Sequence, residues 1–390
     1  MNRPPVIPFK RPLTFDTPAF HDESLSSWLV RASLRHGMNP LDFTKYYWTA
    51  KERLWTKDID VTYPTTTFQD EIYSLSNASP PINFEQLFDA YRATLSLSRT
   101  YFISSISKRN RKSAYGQVFC PKCLEHDETA YLSLAWRLSP MLFCHIHECR
   151  LQDSCPHCQA PYEPNLLTYD KLSTYQPLFI NRCSHCFKKV SDWDISINQD
   201  ELLITVDVPL IKNAIVFEQD FYHATFSYQD ARAFGETLDH IQYLELTTYL
   251  ISFIRFTFRH KLQSVTLLLR KLGVPLGFLM DNQPLKGLNF GSLTLDERLP
   301  IILALPCLIN TDKQAFTNLC LECGVNRSAF AFDSMTIPPS FMSIYESLID
   351  NSRENKIEKE KVYKPKTYKQ VVNRFALLKR KAYGVNGAKS

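Results

Sequence analysis

The sequence predicts a mainly α protein with a small zinc-ribbon β portion. Three observations carry this. Apolar residues recur at helical spacing near the N-terminus. Four two-ligand Cys/His pairs follow one another in the middle. In the second half, helix, glycine and polar helix start recur in that order. The expected parts are an N-terminal helical, helix-turn-helix-like domain at 1–115, a tandem zinc-binding region at 116–195, a C-terminal helical domain with helix-turn-helix-like pairs at 196–350, and a basic tail at 351–390.

The N-terminal part opens on a proline-rich, extended stretch. Asp22-Glu23-Ser24 then starts a helix whose buried stripe is Leu25, Trp28, Leu29 and Ala32, at i, i+3, i+4 and i+7. The carboxylates of Asp22 and Glu23 suit the positive end of a helix. Arg31 and Arg35 fall off the stripe, and Gly37 offers a stop. Asn39-Pro40 can start a second helix over Leu41 to Trp48. Helix, short turn, helix is the outline of a DNA-binding pair and equally of any two packed helices. Residues 56–82 read as a loop, and 84–108 as a helix ending in Lys108, Arg109, Asn110, Arg111 and Lys112.

The middle carries the sharpest signal: Cys120-x2-Cys123, Cys144-x2-His147, Cys155-x2-Cys158 and Cys183-x2-Cys186. Two intervening residues let one tight turn aim both donors at one ion, and two such pairs complete a tetrahedron. Sequential pairing closes the shorter loops. It places Cys120, Cys123, Cys144 and His147 in site one, and Cys155, Cys158, Cys183 and Cys186 in site two. The expectation is two structural Zn²⁺ per chain, with every position filled by protein. His145, His157 and His185 lie beside ligands as alternatives, and Cys149 is left over as a small side chain.

The second half yields a helix over Ser264 to Gly273 and a capping box, Thr294-Leu295-Asp296-Glu297, ahead of the apolar run 299–309. A helix from Lys313 to Cys323 is broken by Gly324, and Asn326 caps a helix whose first turn offers Arg327 to base edges. Cys320 and Cys323 lack a second pair and read as ordinary thiols. The tail holds a net +9, against −4 in the preceding 350 residues. Such a tail is a solvated end or an arm that displaces counterions from nucleic acid. The candidate nucleic-acid contacts are therefore Arg31, Arg35, Lys108, Arg109, Arg111, Lys112, Arg327, Lys364, Lys366 and Lys369.

Several classes drop out. None of the ten glycines sits in G-x-G-x-x-G or G-x-x-x-x-G-K-[ST], so neither common phosphate-cradling loop is present. There is no H-E-x-x-H, and no nucleophile has an evident base. The chain is expected to be non-enzymatic. No apolar h-region or membrane span is visible, so a cytoplasmic location is expected.

The stretch Pro8-Phe9 with His21-Asp22-Glu23-Ser24-Leu25-Ser26-Ser27-Trp28-Leu29-Val30-Arg31 resembles the TniQ family, the TnsD/TniQ target-selection proteins of transposition. So does the core Cys120-Pro121-Lys122-Cys123-Leu124, Tyr131-Leu132, Ala135-Trp136-Arg137-Leu138, Cys144-His145-Ile146-His147, Leu151 and Cys155-Pro156-His157-Cys158. The resemblance covers about the first 190 residues, and the rest matches only in character. One departure stands out: Glu148 follows His147, where the family usually has glycine. The resemblance implies a non-catalytic adaptor that passes a target to a TnsC-like AAA+ ATPase. The target is found either directly, as an attachment site in DNA, or through an RNA-guided CRISPR Cascade complex, sometimes with the adaptor as a homodimer. Outside the family, a zinc-containing transcription factor or a metal-dependent enzyme is the rival reading.

Overall fold

The computed structural model describes residues 13–48, 54–56, 58–61, 70–72, 116–169, 177–192, 208–260, 262–274, 290–331 and 336–350. Residues up to 349 fall in one unit and 350–390 in a second. Lys108, Arg109, Arg111, Lys112, Lys364, Lys366, Lys369 and the expected helix at 84–108 lie outside the described residues.

Helix α1 (Leu25–Arg35) begins where Ser24, in extended backbone, accepts a hydrogen bond from the Ser27 amide. Leu25, Trp28, Leu29 and Ala32 are buried, as the stripe requires. Gly37, at φ 64°, lets the chain reverse. Helix α2 (Pro40–Tyr47) follows with proline in its first turn and packs on α1. Phe43, Tyr47 and Trp48 close the core between them.

The middle region, 116–192, contains no long strands among its described residues. Single antiparallel bridges join Phe119 to Gln152, Phe143 to Arg150, Ser154 to Pro161, and Arg182 to Lys189. The expected β portion takes this form among the described residues: each turn joins the ladder for one residue pair and leaves it again. Gly116 enters the ribbon where an added Cβ would lie 1.8 Å from the Asp153 carbonyl oxygen, so only glycine fits.

The two-stranded sheet lies further on, β1 (Ala231–Ala233) against β2 (Glu236–Leu238). Phe234 and Gly235 both take positive φ, a two-residue turn of the type that matches strand twist. Around this hairpin sit α3 (Val208–Phe226), α4 (His240–His260), α5 (Gln263–Lys271), α6 (Leu295–Ile309), α7 (Lys313–Glu322), α8 (Arg327–Phe330) and α9 (Pro339–Ser347). Helix α6 is the hub, packed against α3, α4 and α5. Beyond its charged first turn it is apolar on every face, as a helix packed on several sides must be. Its start is the expected capping box, with Thr294 and Glu297 each accepting the other's backbone N–H. Cys320 is buried in α7, and Cys323 caps that helix. Among the described residues no helix is long and apolar enough to cross a membrane.

Candidate metal centre

Three of the four Cys/His pairs share one backbone turn. The amides of Glu148, Gln159 and Phe187 donate to the carbonyls of Cys144, Cys155 and Cys183, at 2.8, 2.9 and 2.9 Å. The amides of Cys144, Cys155 and Cys183 then donate to the carbonyls of Cys149, Ala160 and Lys188. The residue after the second donor has φ 51° at Glu148, 57° at Gln159 and 62° at Phe187. Glycine would adopt that region freely, whereas an L side chain there costs roughly 1–2 kcal/mol. Glu148→Gly, restoring the residue usual in the resembled family, is therefore expected to stabilise the protein by about 0.5–1 kcal/mol. Its melting midpoint should rise by about 1–3 °C. A fall in the midpoint would mean that the Glu148 side chain holds the turn.

These turns bring together Cys120, Cys123, Cys144 and His147 in one cluster, and Cys155, Cys158, Cys183 and Cys186 in another. The pairing is sequential. A tetrahedral Zn²⁺ about 2.3 Å from each sulfur and about 2.0–2.1 Å from nitrogen has edges of about 3.8 Å between sulfurs and about 3.6 Å between sulfur and nitrogen. Cys123 and Cys144 sulfurs lie 3.7 Å apart, and His147 Nδ1 is 3.5, 3.2 and 3.7 Å from Cys120, Cys123 and Cys144. In the second cluster the sulfurs of Cys155 and Cys186 are 3.6 Å apart, and those of Cys158 and Cys183 are 3.7 Å apart. The donor atoms thus already have the spacing of a closed tetrahedral site, and both sets fit zinc. Burial pushes the Cys155 thiol up to about 12. A coordinated cation deprotonates such a thiol outright, so loading releases protons.

The ribbon is tied on both sides. Asp127, just beyond site one, pairs with Lys189 at 2.8 Å, and Asn181 donates to Leu124 O and to Asp127. On the other side Arg298 of α6 donates to Ser139 O, and Arg150 pairs with Asp296. The ring of His145 stacks on Tyr222 of α3 at 4.5 Å, which separates it from the ligand set. His157 Nε2 lies near Lys189 O and Asp192, and His185 is exposed.

A carboxylate unforeseen in the sequence completes the frame. Glu218 of α3 is buried, and its Oε2 accepts from the amides of Leu142 and Phe143 at 3.0 and 2.8 Å, directly before Cys144. Its Oε1 has no hydrogen-bond partner. Burial pushes this carboxyl well above the usual range, against the pull of the two amides. The folded state then holds a proton that the unfolded chain releases above the ordinary carboxylate pKa, so this group costs stability as pH rises. Glu218→Gln, which keeps an acceptor and cannot ionise, is expected to match the native protein at pH 4 and exceed its thermal stability at pH 8. An advantage that is larger at pH 4 would refute this account.

The basic candidates separate. Arg31 is committed: its guanidinium donates to Glu23 at 2.8 and 3.0 Å and to Pro18 O, and it lies 4.3 Å from the Phe20 ring centroid. Arg327 donates to the carbonyls of Tyr345, Glu346 and Leu348 and so caps α9. Helix α8, which carries it, is four residues long. Arg35 is exposed at the end of α1.

A comparison with protein-family models matches residues 15–151, about a third of the chain, to TniQ. The chain carries a TniQ domain. No curated protein matches the chain. The TniQ match contains the whole of the first cluster and ends before Cys155.

Within the TniQ domain the motif residues hold one another. Asp22 accepts from Tyr131 at 2.7 Å and from Ser133, while the amides of Ser24 and Leu134 bond Leu132 O and Asp22 O. Glu23 is buried and accepts from Ser27 and Arg31. The Asp22 carboxylate therefore locks the start of α1 to 131–134, while that of Glu23 holds Ser27 and Arg31 of the helix itself. Arg137 is buried between Asp58 and Asp60, reaching Asp60 at 2.6 Å. Burial works against its charge, but the two carboxylates outweigh that and hold it above its ordinary pKa. Asp60 also accepts from the amide and hydroxyl of Ser26, at 2.7 Å each.

Proposed function

We propose that this chain is a non-catalytic target-selection adaptor of DNA transposition. In this reading it links a target-recognition element, an RNA-guided CRISPR Cascade complex, to a TnsC-like AAA+ regulator. The observation that carries the reading is the TniQ domain itself, which includes the first metal cluster. The donor sets support a structural role: two clusters of four protein donors leave no position for water or substrate on a four-coordinate Zn²⁺. The exchange of partners is then a matter of surfaces, and the metal ions keep those surfaces in shape. The chain's own lack of a phosphate-cradling loop fits an ATPase supplied by a partner.

A second reading rests on charge. The net +9 of residues 351–390 favours direct contact with DNA, as in an attachment-site selector. Of the candidate arginines among the described residues, Arg35 is the exposed one. The test is selection of bound duplexes from a random library by the zinc-loaded protein at about 150 mM salt. The adaptor reading expects no enriched motif, together with co-purification of an AAA+ ATPase and a guide-RNA complex. An enriched motif, with neither partner retained, would replace it by the selector reading.

A further inference from the structure

One further thiol lies against the four donors of site one, in contact with one of them. Besides Cys120, Cys123, Cys144 and His147, the sulfur of Cys149 lies 3.5 Å from that of Cys120. That is the distance from Cys120 to His147 Nδ1, and close to the edge of a zinc tetrahedron. Cys149 is buried, at 1% exposure.

The repeated turn makes the position informative. In each of the three knuckles the first ligand's amide donates to the carbonyl of the residue five positions on, which is Cys149, Ala160 or Lys188. The same backbone place carries a thiol in one knuckle and no donor to zinc in the knuckle of Cys155. The knuckle with the thiol is also the one whose second ligand is an imidazole, a neutral and partly exposed donor. Thiolate is the softer ligand and binds Zn²⁺ strongly.

The geometry points to Cys149 as a reserve ligand of site one, able to take the coordination position of His147 and convert a Cys₃His site into a Cys₄ site. In the exchange the bond from zinc to Nδ1 breaks, the Cys149 thiol gives its proton to solvent, and a bond from zinc to sulfur forms. No electron changes hands. Ligation by Cys149 adds one negative charge to the site while the ion stays in place. This inference rests on the reading of both clusters as metal sites.

Co²⁺ in place of Zn²⁺ tests it, because the near-ultraviolet charge-transfer band counts thiolates on the metal. The native full-length chain is expected to bind two Co²⁺ through seven thiolates. His147→Ala is expected to keep two ions and gain an eighth thiolate, raising the band by about one-seventh. His147→Ala combined with Cys149→Ser is expected to return to seven. A His147→Ala band that stays at seven thiolates, or loss of one ion from that variant, overturns the proposal. Native protein binding fewer than two Co²⁺ would instead sink the two-site reading beneath it. His147→Gln, with a polar side chain of similar reach, gives the same reading if the alanine variant does not fold.

Discussion

Cys155→Ser is expected to lower the zinc content from two ions to one and to unfold the second knuckle pair. The ribbon around this site has one-residue bridges in place of a sheet, so few backbone bonds hold it without the ion. Structural zinc contributes an apparent 10–16 kcal/mol or so at neutral pH, on the scale of a whole domain's net stability of about 5–15 kcal/mol. Loss of one thiolate should therefore remove local order outright. Amides 183–190, which include Val190 bonded to Asn181 O, should exchange with solvent rapidly in Cys155→Ser. Emission spectrometry that still finds two zinc ions per chain would show that Cys155 is not a ligand.

Arg137→Met is expected to cost about 3–5 kcal/mol, because it strands the buried carboxylate of Asp60 and takes the partner from the half-buried Asp58. Asp60 is fully buried and also anchors Ser26 at the start of α1. The damage should therefore spread from the ribbon to the first helix. A urea titration should register a midpoint lowered by at least about 1 M. Adding Asp58→Asn and Asp60→Asn to Arg137→Met should recover part of the loss, since the penalty lies mostly in the unpaired charges. A midpoint unchanged in Arg137→Met would mean that water reaches the trio.

What could be read in advance was local. Pairs of donors two residues apart, a stripe at helical spacing and a Thr-x-x-Glu box each act within one turn, so Cys120 and Cys123, Trp28 and Leu29, and Thr294 and Glu297 announced themselves. The partners that matter most to the site are remote. Glu218 reaches Leu142 across 76 residues, and Arg137 reaches Asp60 across 77. No short-range pattern marks either. The hairpin at 231–238 was missed for a different reason: its strands are three residues each, and the sole cue was Phe234-Gly235. Arg31 and Arg327 looked available because sequence records charge and not pairing. The αL turn after His147 was visible only as an exception, a glutamate where flexibility is needed.

The clasp between Asp22 and residues 131–134 also sets a timetable for biosynthesis. Tyr131 follows Asp22 by 109 residues. At translation speeds of about 5–20 residues per second, that is a wait of about 5–20 s. Throughout it, the apolar stripe of α1 is outside the ribosome without the segment that secures its start. Glu218 then follows later still, before the first cluster is framed on both sides. During that interval Trp28 and Leu29 are open to chaperones and proteases.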